Sequence, residues 1–208
     1  MYFNCTSLGK YFTKHLSTLI VIEVRFHGRG GQGVVLASEI LASAAFLDGK
    51  DVQSFPFFGV ERRGAPLMAF TRISDQPIRI RSEVKTPHYV LVLDPSLVRT
   101  VDVSSGIRSD GLLLTNGPPE MHLNASSRFK TLVFDATSVS LEHGLGSRTA
   151  PIVNTAMLGA FAAATDLIRI ESLEESIPEL VPRKAEANVA ACRTAYVAVA
   201  KEVEIPES

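Results

Sequence analysis

Residues 27–33 read HGRGGQG and follow the apolar run IVIEVRF. Glycines at 28, 30 and 33 form G-x-G-x-x-G, and Gly31 adds a fourth. Between a strand and a helix, such a loop lets backbone amides approach a phosphate closely. The free N–H groups and the dipole of the helix N-terminus then favour the anion. Gly28, Gly30, Gly31, Gln32 and Gly33 are therefore expected around a diphosphate; the plainer reading is a tight turn that lets strand and helix pack. A nicotinamide dinucleotide further needs an acidic residue at the end of the second strand, for its ribose hydroxyls. The segment SFPFF at 54–58 offers none, and the next charges are Glu61, Arg62 and Arg63, set among Gly59, Gly64 and Pro66. Guanidinium groups grip phosphate bidentately, so Arg62 and Arg63 suit a ligand with an additional ribose phosphate. NADP and coenzyme A both carry one. A solvated surface turn is the alternative for this segment.

A nucleophile or metal centre is harder to assemble. Cys5 and Cys192 are far apart, with no C-x-x-C and no iron–sulfur or zinc spacing. Cys192 falls on the apolar stripe of a helix, and no serine has a G-x-S-x-G setting. His15, His27, His88, His122 and His143 lack metal-ligand spacing. For His27, beside the glycines, a packed or solvent-facing role is favoured over a phosphate contact. Asp94 and Asp135 close strands at the sheet edge where ligands bind in such folds, although strand-end aspartates also cap loops. No catalytic set is complete on this chain.

The elements that must position these residues follow from periodicity. VIEVRF is a buried strand, and Ala37, Ile40, Leu41, Ala44 and Leu47 then fall on one helical stripe closed by Gly49. A strand near VQSFPF precedes the glycine- and arginine-rich loop, and LMAFTRIS and PIRIRS read as two strands joined at the turn DQP. YVLVLD (89–94), GLLLTN (111–116) and TLVFDA (131–136) are nearly continuously apolar, as strands covered on both faces are. APIVNTAMLGAFAAATDLI reads as a small-residue helix with Pro151 in its first turn, and SLEE (172–175) as a capping box. The last helix carries Val189, Cys192, Tyr196 and Val203 on its inner stripe. The expected fold is one α/β domain, Rossmann-like and doubly wound, with a mostly parallel sheet and C-terminal helices. It spans residues 21–204, and residues 1–20 are read as an extension outside it.

Composition is consistent with this. The 208 residues suffice for one domain, and 46% apolar content with mean hydropathy +0.17 argues against disorder. A net charge of −1 gives no electrostatic footprint for nucleic acid. No apolar run reaches the length of a membrane span. Two cysteines without a partner pattern fit a reducing cytoplasm.

With these residues in order, the chain resembles the gamma subunit of the 2-oxoacid:ferredoxin oxidoreductases, over about residues 21 to 200. The most specific blocks are RFHGRGGQGVV, FGVERRGAPLMAFTRISDQPI and PIVNTAMLGA. ERRGAP is closer to the pyruvate and oxoisovalerate branch than to the 2-oxoglutarate or indolepyruvate branches. The resemblance implies an assembled enzyme that decarboxylates a 2-oxoacid on thiamine diphosphate, passes electrons through iron–sulfur clusters to ferredoxin, and forms acyl-coenzyme A. It places thiamine diphosphate and the clusters on alpha, beta and delta-type partner subunits, and coenzyme A on this chain. It also implies Gly64 as a point of close approach, with Asn116 and Asn154 as polar contacts to adenosine or pantetheine. Two other readings compete: a stand-alone NADP-dependent oxidoreductase, and a purely structural assembly subunit.

Overall fold

The structure, a computed structural model, describes residues 21–57, 64–123 and 128–204. The expected extension at 1–20 lies outside the described residues. β1 (Ile22–Arg29) is the centre of a six-stranded sheet. It pairs antiparallel with β3 (Pro66–Ser74) on one side and parallel with β4 (Tyr89–Val92) on the other. β2 (Asp51–Phe57) adds antiparallel to β3, while β5 (Leu112–Asn116) and β6 (Lys130–Phe134) extend the parallel half. The order is β2-β3-β1-β4-β5-β6, in which β3 alone runs against the rest. From β1 the chain passes through α1 (Val34–Leu47) to one edge and later returns to build the other. The expected doubly wound, mostly parallel sheet is borne out, and its switch point lies between β1 and β4.

Alternation along the strands divides two unequal layers. Val24, Phe26, Leu91 and Leu114 enter the main core beneath α1, α4 (Asn154–Thr165), α5 (Ile170–Leu180) and α6 (Ala185–Glu204). α4 is apolar on all sides and buried along nearly its whole length, as a helix between a sheet and another helix must be. Its contact with α6 passes through Gly159, where an added Cβ would meet the Cys192 carbonyl oxygen at 1.9 Å. α3 (Ala136–Glu142) and the hairpin of β7 (Gly146–Ser147) and β8 (Ala150–Pro151) join β6 to α4.

The opposite face carries the short α2 (Leu97–Thr100) and loops over a smaller cluster of Val90, Val92, Leu97, Val103 and Leu113. Buried guanidinium groups supply the donors these loops lack in secondary structure. Arg72 donates to the Ile80 and Ser82 carbonyls at 3.2 and 2.5 Å, pairs with Glu23 at 2.9 Å, and stacks over Phe55. Arg25 donates to the carbonyls of Val103 and Ser105 at 2.9 and 2.7 Å.

Local readings depart from the structure at several points. PIRIRS pairs with no strand; Pro77 has no N–H to give, and the segment's carbonyls are taken by Arg72 and by Gln53 Nε2. Pro151 belongs to β8, and α4 begins only at Asn154. Ser172 lies inside α5 and donates to Asp48 instead of capping; Asp48 also accepts from the Arg169 amide at the N-cap. On α6, Cys192 is buried as read, but its companions are Ala191, Ala195 and Val199, with Val189 and Tyr196 only half-buried. Small residues there let α6 approach α4 closely.

That approach is testable. Gly159→Ala forces a carbonyl against a methyl group in a packed helix pair and is expected to cost at least about 1–3 kcal/mol. Chemical denaturation would show a lowered midpoint; an unchanged midpoint would contradict the packing described.

Candidate functional site

β1 delivers the glycine loop to the carboxyl edge of the sheet at the switch point, where open α/β sheets bind ligands. The loop is pressed onto the strand: a Cβ at Gly28 would lie 2.4 Å from Val34 Cγ2 and 3.1 Å from Gln32 Oε1. Gly31 and Gly33 have φ of +96° and +74°, conformations that side-chain-bearing residues rarely adopt. Gly33 is the N-cap of α1, so the helix has no side-chain cap, and its first turn carries no acidic residue. Its first intrahelical bond runs from Ala37 N to Gly33 O at 2.9 Å. The N–H groups ahead of Ala37 lie in the unpartnered first turn that attracts anions.

A second helix begins beside the first. A Cβ on Gly33 would meet Asn154 Nδ2 at 2.6 Å, so the first residue of α4 packs against the N-cap of α1. Val153, the N-cap of α4, provides no side-chain cap either, and α4 has no acidic residue in its first turn. Asn154 is buried and its Oδ1 accepts from Thr155 N at 3.0 Å. Two positive dipole ends therefore converge at one place.

A side-chain network on Asp94 sets the loop's shape. Asp94 Oδ2 accepts from Arg29 Nε and from Gln32 Nε2, both at 3.0 Å. Its Oδ1 accepts from Ser96 N at 2.9 Å and Ser96 Oγ at 2.6 Å. Gln32 Oε1 accepts from Arg29 N at 2.7 Å, which commits both ends of that carboxamide within the loop. Burial acts to raise the Asp94 carboxyl, but the bonds from Ser96 and Gln32 and the Arg29 charge outweigh it and hold the group below the usual carboxylate range. Arg29 continues to Ser96 Oγ and to the Gly64 carbonyl, both at 2.9 Å, and Gly30 N donates to Ala65 O at 3.2 Å. The glycine loop is thus tied to the segment that carries Gly64. Among the described residues, nothing lies within 4 Å of a Cβ built at Gly31 or at Gly64.

Among the expected site residues, Gly28, Gly30, Gly31, Gln32, Gly33, Gly64 and Asn154 are brought together. Arg62 and Arg63 lie outside the described residues. Asn116, at the end of β5, has its amide engaged by Leu93 O at 3.0 Å and by Thr137. It ties the ends of β4 and β5 to α3. Arg29 and Ser96 did not stand out in the sequence, since an arginine at the variable position of a glycine motif carries no pattern. Asp94 was legible only as a strand end. Asp135 caps α3 through Ser138 N at 2.9 Å, the duller of its two readings.

His27 is packed: it is 3% exposed, and its Nε2 has no partner among the described residues. Cys192 is also fully buried, and burial pushes its thiol up to about 12, far from nucleophilic. No metal-ligating cluster occurs among the described residues. A cavity of about 580 Å³ on the far side of the sheet touches Ser96 at its rim. Its lining combines the apolar Val103, Leu113, Met121 and Phe129 with Arg99, Asp102 and His122.

The family described as pyruvate ferredoxin/flavodoxin oxidoreductase matches residues 23–198. The chain belongs to that family. The pyruvate synthase subunit PorC of Methanothermobacter marburgensis is 56% identical over 177 residues, which cover 85% of this chain and 96% of the relative. The pyruvate/ketoisovalerate oxidoreductases common subunit gamma of Pyrococcus furiosus is 52% identical over 181 residues, with coverage of 85% and 96%. The crystal structure of pyruvate oxidoreductase subunit PORC from Thermotoga maritima superposes with a TM-score of 0.72 at 35% identity, covering 85% of this chain and 96% of that one. The resemblance read from the sequence is borne out at the level of the pyruvate ferredoxin/flavodoxin oxidoreductase family.

Burial, helped by the Arg25 charge, drives His27 down to about 3. The unfolded chain, with an ordinary histidine near about 6.5, binds a proton that the folded chain refuses between these two values. Stability contributed at this site is therefore complete above the unfolded value and lost as pH falls, by up to about 1.4 kcal/mol per pH unit. NMR should find the His27 ring neutral throughout that window, and His27→Gln should flatten the acid limb of the stability curve. A titration midpoint near the unfolded value would contradict the burial.

Proposed function

We propose that this chain is the gamma subunit of a multi-subunit 2-oxoacid:ferredoxin oxidoreductase, and that its part in the assembled enzyme is to seat coenzyme A. The observation that carries the second part is the α1 N-terminus. It is capped by a left-handed glycine, free of acidic residues, and joined by a second helix start at Asn154. This is the arrangement that takes a diphosphate. Arg62 and Arg63 directly precede Gly64, whose carbonyl is bonded to Arg29 in the glycine loop. That connection supports a role for the pair on the ribose phosphate.

The enzyme so assembled oxidises pyruvate or a branched-chain 2-oxoacid to acyl-coenzyme A, in keeping with the names of its relatives. Thiamine diphosphate and iron–sulfur clusters, on alpha, beta and delta-type subunits, supply decarboxylation and electron transfer to ferredoxin. What this chain contributes is position. By fixing the diphosphate it directs the pantetheine thiol toward an acyl group made on a partner, and converts an encounter into an oriented transfer. No nucleophile of its own is needed, which accords with the buried Cys192. The functional unit is residues 21–204, working in the cytoplasm. No helix among the described residues is long and apolar enough to cross a membrane.

Calorimetric titration of the assembled complex with coenzyme A, dephospho-coenzyme A and NADPH tests this reading. Coenzyme A should bind at least about tenfold more tightly than its dephospho form, and Arg63→Ala should close much of that gap. Equal affinity for the two, or a preference for NADPH, would contradict the assignment.

A further inference from the structure

Arg29 lies within the glycine motif itself, and such a cation would ordinarily be taken for a phosphate ligand. Its bonds indicate otherwise. Nε is on Asp94, Nη2 on Ser96 Oγ and Nη1 on the Gly64 carbonyl, so every nitrogen of the guanidinium has a protein acceptor. Asp94 is equally committed, with both oxygens accepting two bonds each. Between them sits Gln32, flanked by two glycines of positive φ and held at both ends of its carboxamide. Two left-handed glycines around one residue make a segment with large conformational freedom when untied. Tied through Gln32, the amides that lead into α1 are fixed before any ligand arrives.

We propose that Arg29 and Asp94 are positioning residues for the anion site: they act through Gln32 and Gly64 to hold the glycine loop in its ligand-ready shape, and Arg29 does not itself bind phosphate. This rests on the coenzyme A reading of the loop. Asp94→Asn removes the charge on which the network converges and leaves a donor of Arg29 or Gln32 facing an amide. Arg29→Lys keeps the charge but cannot span Asp94, Ser96 and Gly64, because an ammonium group lacks the planar fork. If Arg29 were a ligand, the two variants would separate: Asp94→Asn would release its charge to the phosphate, and Arg29→Lys would be mild.

The test measures rate against coenzyme A concentration in the assembled enzyme carrying Asp94→Asn, Arg29→Lys, Asp94→Glu or Gly31→Asp. Assembly of each variant is checked by copurification of the partner subunits. Both Asp94→Asn and Arg29→Lys should raise the half-saturating coenzyme A concentration roughly tenfold or more, the scale of one charge-assisted hydrogen bond, with a far smaller change in maximal rate. Asp94→Glu, which keeps the carboxylate, should recover part of the loss. Unchanged or tighter coenzyme A binding in Asp94→Asn overturns the proposal. Gly31→Asp places a carboxylate on the loop and should impair coenzyme A use on any reading that puts the diphosphate there. If it does so while Asp94→Asn does not, the positioning role alone is wrong. If Gly31→Asp also has no effect, the coenzyme A reading fails and the positioning role falls with it.

Discussion

Two helices start against one another in this protein, and neither is capped by its N-cap side chain. The contact is between Gly33, where a Cβ would overlap Asn154 Nδ2, and the first residue of α4. Uncapped helix starts usually meet water or a capping hydroxyl. Converging two of them concentrates positive potential at one point of the sheet edge, and only glycine at position 33 permits it. Much of the architecture serves that approach. The apolar α4 is buried because it must lie between sheet and α6, and Gly159 and the small residues of α6 let it sit close enough for its N-terminus to reach the loop.

The second constraint is that a loop of glycines has no shape of its own. Here a single carboxylate at the end of β4 supplies one, by gathering Arg29, Gln32 and Ser96. Because β4 is the parallel neighbour of β1, its carboxyl end falls beside the loop. The doubly wound topology therefore explains why Asp94, 61 positions beyond Gly33 in sequence, controls it. Arginines elsewhere act in the same way: Arg25 and Arg72 hold loops over the thinly covered face where helices are short.

Strands at 89–92, 112–116 and 130–134 were legible because they lie in nearly continuously apolar runs, β1 because its run is short and β-branched and ends at glycines, and α1 because its stripe has helical period. The glycine motif and its setting were equally plain, as was the family. What escaped was governed by contacts distant in sequence. PIRIRS has the alternation of a strand, yet its carbonyls are satisfied by Arg72 from another element. SLEE has the form of a capping box, but Asp48, at the end of α1, accepts from the Arg169 amide at the start of α5. Pro151 suits a helix start and forms a hairpin strand instead. At the site, local pattern named the glycines and the family resemblance named Asn154, whereas Arg29 and Asp94 are partners only once β1 and β4 pair. Asn116 is a candidate ligand through the family resemblance, and its bonds to Leu93 and Thr137 are invisible in the sequence.

The amides at the start of α1 are proposed to receive an anion. Hydrogen–deuterium exchange of the assembled enzyme, with and without saturating coenzyme A, addresses those amides directly. Protection should appear at Gly31 and Gly33 through Leu36, with smaller protection at the start of α4. Coenzyme A binding that leaves these amides exchanging at their unliganded rates, with protection elsewhere, would contradict the account.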